Sequence, residues 1–172
     1  MLWAISLWML SGWPRLRLIS ASSAGQLSGG SGARRPVSSE VPVSVEYFQN
    51  NIASVTKQFP WLVFEEEGQV LGYAYANTWK TRSAYNKSVE VSVYLKHGLN
   101  QRGIGSQLYK ELIAILKREG FHVLIGGISL PNEASVRLHE KFGFEKVAHF
   151  KQIGYKFNTW VDVGYWQLTL SK

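Results

Sequence analysis

The chain of 172 residues contains no cysteine, which excludes disulfides, thiolate metal sites and a cysteine nucleophile. Its four histidines, at positions 97, 122, 139 and 149, lack the close spacing by which a motif such as HExxH holds a metal. We therefore predict that no metal ion takes part in its function.

Nucleotide-binding signatures and long apolar runs are also missing. Neither GxxxxGK[ST] nor GxGxxG occurs, so a P-loop NTPase and a GxGxxG dinucleotide fold are not supported. The apolar run from Leu2 to Leu10 is much shorter than the ~20 residues that a transmembrane helix needs. With 45% hydrophobic residues and no internal repeat, the chain has the composition of one enzyme domain.

Acidic residues are absent from positions 1–39, which hold four arginines and so supply +4 of the formal net charge of +7. The other basic residues are interspersed with acids, as on a solvated surface, so the charge does not predict nucleic-acid binding. The same segment holds three of the seven tryptophans but no clear helix or strand period. Its second half has the composition of a disordered segment.

The most informative stretch runs from 90 to 106, EVSVYLKHGLNQRGIGS. Alternating apolar residues predict a half-buried strand, and Ile104 and Leu108 begin the apolar face of a helix. Gly103 and Gly105 allow close backbone approach at the start of that helix, where free N–H groups and the positive dipole end favour an anion such as pyrophosphate. An ordinary strand-to-helix turn is the alternative.

Turn residues elsewhere predict a mixed sheet with helices on its faces. Asn132, after Pro131, is a good N-cap, and Gly143 would end the helix that follows it. The expected strands lie at 61–64, 69–76, around 90, 121–129, 145–154 and 161–169, and the expected helices at 45–58, from 104 onward and at 132–142.

Two segments resemble motifs of the GNAT acetyltransferases. The loop NQRGIG resembles the Q/R-x-x-G-x-G/A loop that grips the pyrophosphate of acetyl-CoA, with Asn100 where the pattern has Gln or Arg. LPNEASVRLHEKFGF resembles N-x-x-[SA]-x-x-[LF]-Y-x-[KR]-x-G-[FY], with His139 in place of Tyr. Together with WLVFEEEGQVLGYAYANTWKTRSAY, SVEVSVYL and DVGYWQL, they resemble phosphinothricin N-acetyltransferases of the bialaphos-resistance type, over roughly residues 43–170.

This resemblance implies an α/β fold: a GNAT-like mixed β-sheet flanked by helices, with acetyl-CoA as cosubstrate. Acetyl-CoA would wedge between two splayed parallel strands, here those at Val91 and Phe121. The cofactor-binding residues that the resemblance implies are Val93, Leu95, Asn100, Gln101, Arg102, Gly103, Ile104, Gly105, Ser106 and Asn132.

Acetyl transfer to an amine needs a base, because an ammonium is not a nucleophile. Glu90 opens an apolar strand beside the cofactor loop, and the matching glutamate has that role in the resembled family. The alternative is a solvated carboxylate at a strand end. His139 and Tyr109 are the other catalytic candidates, near the CoA sulfur, against the alternatives of a structural helix histidine and a packing tyrosine.

The acceptor site is expected at WKTRSAY, in the loop 77–88. Lys80, Arg82 and Tyr85 would bind the anionic groups of an amino acid, and Trp79 would supply an apolar wall. An exposed basic loop is the alternative.

Relatives of the resembled type start with a strand and two helices, of which only the tail of the second helix, 45–58, is recognisable here. We therefore expect the first strand and first helices to be missing or replaced. Residues 1–40 would be an atypical, disordered or non-native segment before a domain of residues 41–172. A wrong start, or an out-of-frame stretch joined near Val41, ranks above a targeting segment. We then expect one edge of the sheet to be uncovered and residues 1–39 to contribute nothing to catalysis.

The function expected from the resemblance is N-acetylation of phosphinothricin, methionine sulfoximine or a similar amino acid, with the herbicide resistance that this activity confers. The alternatives are another amine acceptor, such as a polyamine or a protein N-terminus, and a non-catalytic acyl-CoA-binding remnant. The expected partner is a small-molecule amino acid, with no nucleic acid and no membrane. A cytoplasmic location and a homodimer are further expectations.

Overall fold

The computed structural model describes residues 15–19, 44–99 and 102–171. The strands are β1 (Arg15–Leu18), β2 (Trp61–Glu66), β3 (Gln69–Thr78), β4 (Ser88–Leu95), β5 (Val123–Leu130), β6 (Glu145–Lys156) and β7 (Thr159–Thr169). The helices are α1 (Val45–Val55), α2 (Ile104–Arg118) and α3 (Glu133–Lys141), with a short 3₁₀ turn at Ser83–Tyr85.

The seven strands form one sheet in the order β1-β2-β3-β4-β5-β7-β6. Among the described strands β4 and β5 pair in parallel, whereas the other neighbours are antiparallel. Helix α2 makes the crossover between the two parallel strands, as a parallel pair requires. The expected mixed sheet flanked by helices is confirmed.

Side-chain alternation gives the sheet two different faces. On one face, buried residues such as Leu62, Ala74 and Val91 pack against Leu108 and Leu112 of α2. On the other face, α1 covers a smaller aromatic cluster, whose buried members are Ile19, Ile52, Val55, Trp61, Val63 and Tyr73. Burial of the apolar stripes of α1 and α2 is what fixes the sheet between two layers.

The atypical N-terminal segment supplies an edge strand. Leu16 and Arg17 of β1 pair with Phe64 and Val63 of β2, and the side chain of Ile19 is 4% exposed in the cluster under α1. The expectation of an uncovered sheet edge is therefore wrong, because backbone pairing requires no hydrophobic period to be visible in the strand. The rest of residues 1–40, where we predict disorder, lies outside the described residues.

Small boundary differences have local causes. Strand β5 begins two residues later than expected, because the Phe121 N–H bonds to the Leu116 carbonyl and closes the end of α2. Helix α3 begins at Glu133, because Asn132 is its N-cap and accepts the Ser135 N–H at 3.2 Å. The β6–β7 hairpin is longer than expected, with a turn at Phe157 and Asn158, both in the left-handed region.

Candidate active site

The parallel strands separate in the middle of the sheet. Their pairing runs from Ser88 with Val123 to Glu90 with Ile125 and ends there, although β4 continues to Leu95 and β5 to Leu130. Each strand remains paired with its outer neighbour, so a gap opens between the two. This confirms the expected splay and places Glu90 at its vertex.

Glu90 is half-buried at that vertex, on the face of the sheet that α1 also covers. A Cβ built on Gly127 of β5 would lie 3.4 Å from Glu90 Oε1 and 3.3 Å from a ring carbon of Tyr165. Burial raises the pKa of the Glu90 carboxyl, and the positive charge of Lys80 opposes that rise. A carboxylate with a raised pKa in a cleft is suited to accept a proton.

Three aromatic side chains, Trp79, Tyr165 and Phe150, form a continuous surface beside Glu90, which we call the aromatic wall. The Tyr165 ring lies 5.5 Å from Trp79 and 5.7 Å from Phe150, both edge to face. Lys80 Nζ lies 5.0 Å from the Trp79 ring centre. Sequence reasoning identified Trp79 but missed Tyr165 and Phe150, since only the register of Gly127 opposite Tyr165 brings them to Glu90.

A hydroxyl cluster occupies the same face further along β4. The side chains of Tyr75, Ser92 and Tyr94 are hydrogen-bonded to one another, and burial raises the pKa of both tyrosines. Tyr75 also stacks on Trp61 with ring centres 4.2 Å apart. Sequence reasoning missed this cluster, although the spacing of Ser92 and Tyr94 in SVYL is the signal that these two share a face.

The N-terminus of α2 has the geometry expected of an anion site. Gly103 is its N-cap, with φ +73°. Apart from its two neighbours in the chain, no described residue has a heavy atom within 4 Å of the position a Cβ would take. The N–H groups of the first turn have no acceptor within the helix. They point out of its N-terminal end, where the open space beside Gly103 lies. The side chain of Ile104 is buried in the core, and Gly105 packs against Leu138, so those residues would contribute backbone only.

Polar side chains surround this end of α2. Arg102 makes two hydrogen bonds to the Glu66 carboxylate, at 2.8 and 2.9 Å. Lys141 of α3, which matches the family pattern but was not predicted to bind the cofactor, donates to Ser106 Oγ at 3.0 Å and so places an ammonium beside the helix N-terminus.

The other residues predicted to bind the cofactor differ in where the structure places them. Val93 and Leu95 lie half-buried along the splayed part of β4. The side-chain oxygen of Asn132 is used to cap α3. Asn100 and Gln101 lie outside the described residues.

Tyr109 and His139 form a buried pair on the opposite face from Glu90. His139 Nδ1 lies 2.8 Å from the Ser135 carbonyl, which can only accept, so Nδ1 carries the proton. Nε2 of the neutral ring then accepts the Tyr109 hydroxyl at 2.8 Å. Burial lowers the pKa of His139 and raises that of Tyr109, so both are neutral near pH 7.

The pair packs against β5 one residue past the end of the parallel pairing. A Cβ on Gly126 would overlap the His139 imidazole, so only glycine fits there. The histidine and tyrosine singled out from sequence are thus brought together, at the vertex of the splay.

The predicted acceptor residues lie in the loop before β4. Trp79 is half-buried, and Lys80 is exposed with its charge acting on Glu90. Arg82 precedes the 3₁₀ turn and Tyr85 is its last residue, and both side chains are exposed. The structure therefore associates Trp79 and Lys80 with the vertex more directly than the other two.

Within residues 15–19, 44–99 and 102–171, no group of three or more His, Cys, Asp and Glu side chains is arranged to hold a metal ion. No helix in those ranges has the length and apolar character to span a membrane.

Comparison with known proteins identifies the family of this chain. An acetyltransferase (GNAT) domain model matches residues 33–164. The chain is 40% identical over 126 residues to phosphinothricin N-acetyltransferase of Streptomyces viridochromogenes, covering 73% of this chain and 69% of that protein. It is 40% identical over 114 residues to the L-methionine sulfoximine/L-methionine sulfone acetyltransferase of Salmonella typhimurium, covering 66% of this chain and 67% of that protein.

A solved GNAT phosphinothricin acetyltransferase from Sinorhizobium meliloti, in complex with acetyl-CoA, superposes with a TM-score of 0.79 and 29% identity, covering 92% of this chain and 89% of that chain. Since the domain model and the Streptomyces relative each match more than two thirds of the sequence, the chain belongs to the GNAT family and is an acetyltransferase.

Proposed function

We propose that the protein transfers an acetyl group from acetyl-CoA to the α-amino group of phosphinothricin, methionine sulfoximine or a similar amino acid. The observation that carries the proposal is the position of Glu90, a half-buried carboxylate with a raised pKa at the point where β4 and β5 separate. The names of the relatives support the acceptor class.

The described residues fit acetyl-CoA. The gap between β4 and β5 gives a slot for an extended chain, and the open space at Gly103 leaves room for phosphate oxygens beside the first-turn N–H groups of α2. Lys141 would add a positive charge there. When bound, acetyl-CoA supplies a thioester whose C–S bond breaks as the amine nitrogen forms a bond to the carbonyl carbon.

Glu90 would accept a proton from the acceptor ammonium, directly or through water, and so free the nitrogen lone pair for attack. The second proton lost by that nitrogen balances the one gained by the departing CoA thiolate. Lys80 would favour the ionised, proton-accepting form of Glu90, because its charge lowers the Glu90 pKa.

For the departing thiolate we propose Tyr109 and His139 as the proton-donating side chains. Their hydrogen bond commits the Tyr109 proton to His139, and burial favours the neutral form of each. Burial makes Tyr109 a weaker acid, and the neutral His139 ring has no imidazolium proton to give, so the pair would contribute less than Glu90.

The acceptor would bind between the aromatic wall and the basic loop. Lys80 is placed to attract an anionic group, and Arg82 and Tyr85 are proposed to add a guanidinium and a hydroxyl as the acceptor binds. Trp79 and Tyr165 would exclude water from the reacting nitrogen.

The test is acetylation of phosphinothricin and methionine sulfoximine by the purified full chain, with a polyamine and a peptide N-terminus as competing acceptors. Since the chain has no cysteine, a thiol reagent reports released CoA without protein background. We expect turnover with the two amino acids and a large loss in Glu90→Gln. Preferred acetylation of the polyamine or peptide would contradict the acceptor class.

A further inference from the structure

Strand β6 carries a wide bulge opposite a single residue of β7. Phe150 pairs with Val163 and Gly154 pairs with Val161, so the β6 residues between them face Asp162 alone. Gln152, in the middle of the bulge, has φ +51°, a left-handed conformation that is unfavourable for a residue with a side chain. Such a bulge needs a specific partner to hold its backbone.

Asp162 is that partner. Its Oδ1 accepts the Gln152 backbone N–H at 2.8 Å, and its Oδ2 lies 2.8 Å from His149 Nε2. The Gln152 N–H is the larger cause, and His149 a further one, of a lowered Asp162 pKa. One carboxylate thus ties the middle of the bulge to His149, on the other side of Phe150 in the chain.

The bulge leads directly into the aromatic wall. Phe150 is the last paired residue before the bulge, and its ring meets Tyr165, which lies beside Gly127 and Glu90. Asp162 and Gly164 have the opposite parity to Tyr165 on β7, so the carboxylate lies on the other face of the sheet and does not reach the acceptor. Its effect on the site would pass through the backbone of the bulge to Phe150.

We propose that Asp162 is a positioning residue for acceptor binding, which fixes the bulge and thereby holds Phe150 in the aromatic wall. This inference rests on the proposed function, since it assumes that the acceptor binds against that wall. It predicts an effect on the acceptor and little effect on acetyl-CoA, whose proposed phosphate site lies at the N-terminus of α2.

The test compares Asp162→Ala, Asp162→Asn, Phe150→Ala and the double variant Asp162→Ala/Phe150→Ala. Asp162→Asn is the conservative rescue, because its amide oxygen still accepts the Gln152 N–H and its side chain keeps the size and shape that meet His149. Glu133→Ala is the matched control, because it removes an exposed carboxylate that pairs with Arg137 on α3.

We expect Asp162→Ala to raise the acceptor KM roughly tenfold, as loss of one wall contact does, with acetyl-CoA KM changed less than about twofold. Asp162→Asn and Glu133→Ala should resemble the wild type. In the double variant, Asp162→Ala should add nothing to the effect of Phe150→Ala, because both act through one side chain.

An unchanged acceptor KM in a folded Asp162→Ala, or multiplied effects in the double variant, would overturn the inference. If Asp162→Ala does not fold, His149→Ala is tested instead, because it removes one of the two contacts of Asp162. Its acceptor KM is compared with its acetyl-CoA KM, and it is combined with Phe150→Ala in the same double-mutant cycle. Failure of the wild type to acetylate any amino acid would instead contradict the proposed function, which separates the two failures.

Discussion

Glu90 combines a functional position with an unfavourable environment. Burial favours its protonated form, so the folded state holds that proton more tightly than the unfolded state. A group with a raised folded pKa stabilises the fold below its unfolded pKa, and that stability is lost as pH rises through the folded pKa. At neutral pH the ionised side chain therefore costs stability, as is common at active sites.

Glu90→Gln should lower kcat by about a hundredfold or more, because an amide cannot accept the ammonium proton. The KM for acetyl-CoA should change little, and the melting temperature at pH 7 should be equal to or above that of the wild type. Steady-state kinetics and thermal melts check both. A pH–rate profile unchanged in the variant would assign the base elsewhere.

Lys80 should set the acid limb of the pH profile. Its charge lowers the Glu90 pKa, so Lys80→Met should move the acid limb of kcat/KM to higher pH. Lys87→Met is the control, an exposed lysine of the same loop. If the acid limb of kcat/KM lay at the same pH in Lys80→Met and Lys87→Met, Lys80 would not act on Glu90.

His139→Ala should lower kcat less than Glu90→Gln does, since its ring is neutral and both nitrogens are engaged. Tyr109→Phe leaves His139 Nε2 buried without a donor, which costs about 1–3 kcal/mol of stability. Denaturant unfolding and kinetics, with exposed His122→Ala as the control, check these expectations. Full activity in His139→Ala would make the pair purely structural.

At the scale of elements, α2 joins the core to the proposed cofactor site. Its buried face, from Ile104 to Leu116, fixes the helix on the sheet, and this anchoring aims the first-turn N–H groups at the gap. The alternation and periodicity of residues 90–115 were sufficient to predict both elements. The separation of β4 from β5 beyond Glu90 was predicted from family resemblance, because no local pattern encodes where two distant strands stop pairing.

Gly103→Val should weaken CoA binding, because a branched side chain opposes φ +73° and fills the open space at the helix start. Gly120→Val, with φ +79° at the other end of α2, carries similar backbone strain away from the proposed site. Isothermal titration with CoA compares the two. Equal affinities would show that the helix N-terminus is not the phosphate site.

At the scale of the whole molecule, the N-terminal segment takes part in the fold. Arg17 pairs with Glu65 at 3.1 Å, and the Ile19 N–H bonds to the Trp61 carbonyl at 2.8 Å. The exposed ion pair contributes little, whereas burial of Ile19 beneath α1 contributes more. We therefore expect removal of residues 1–39 to lower the stability of the fold.

Ile19→Ala should lower the free energy of unfolding by about 2–4 kcal/mol, because it leaves a cavity among Ile52, Val55 and Trp61. Leu18→Ala removes a side chain that is 59% exposed and should change stability by less than about 0.5 kcal/mol. Urea unfolding distinguishes them. Equal stabilities would mean that β1 does not pack as described.

The sequence by itself determined the local elements of this protein, because alternation, helical spacing and turn residues act within a few positions of one another. It also identified Gly103 at the start of α2 and Glu90 at the beginning of an apolar run in β4. Tertiary structure alone decided that β1 covers the sheet edge, that Tyr165 meets Glu90 across Gly127, and that Tyr109 bonds to His139 from 30 residues away. Those contacts depend on strand register and on which helix packs on which face, and such long-range choices are made by the burial of the whole core.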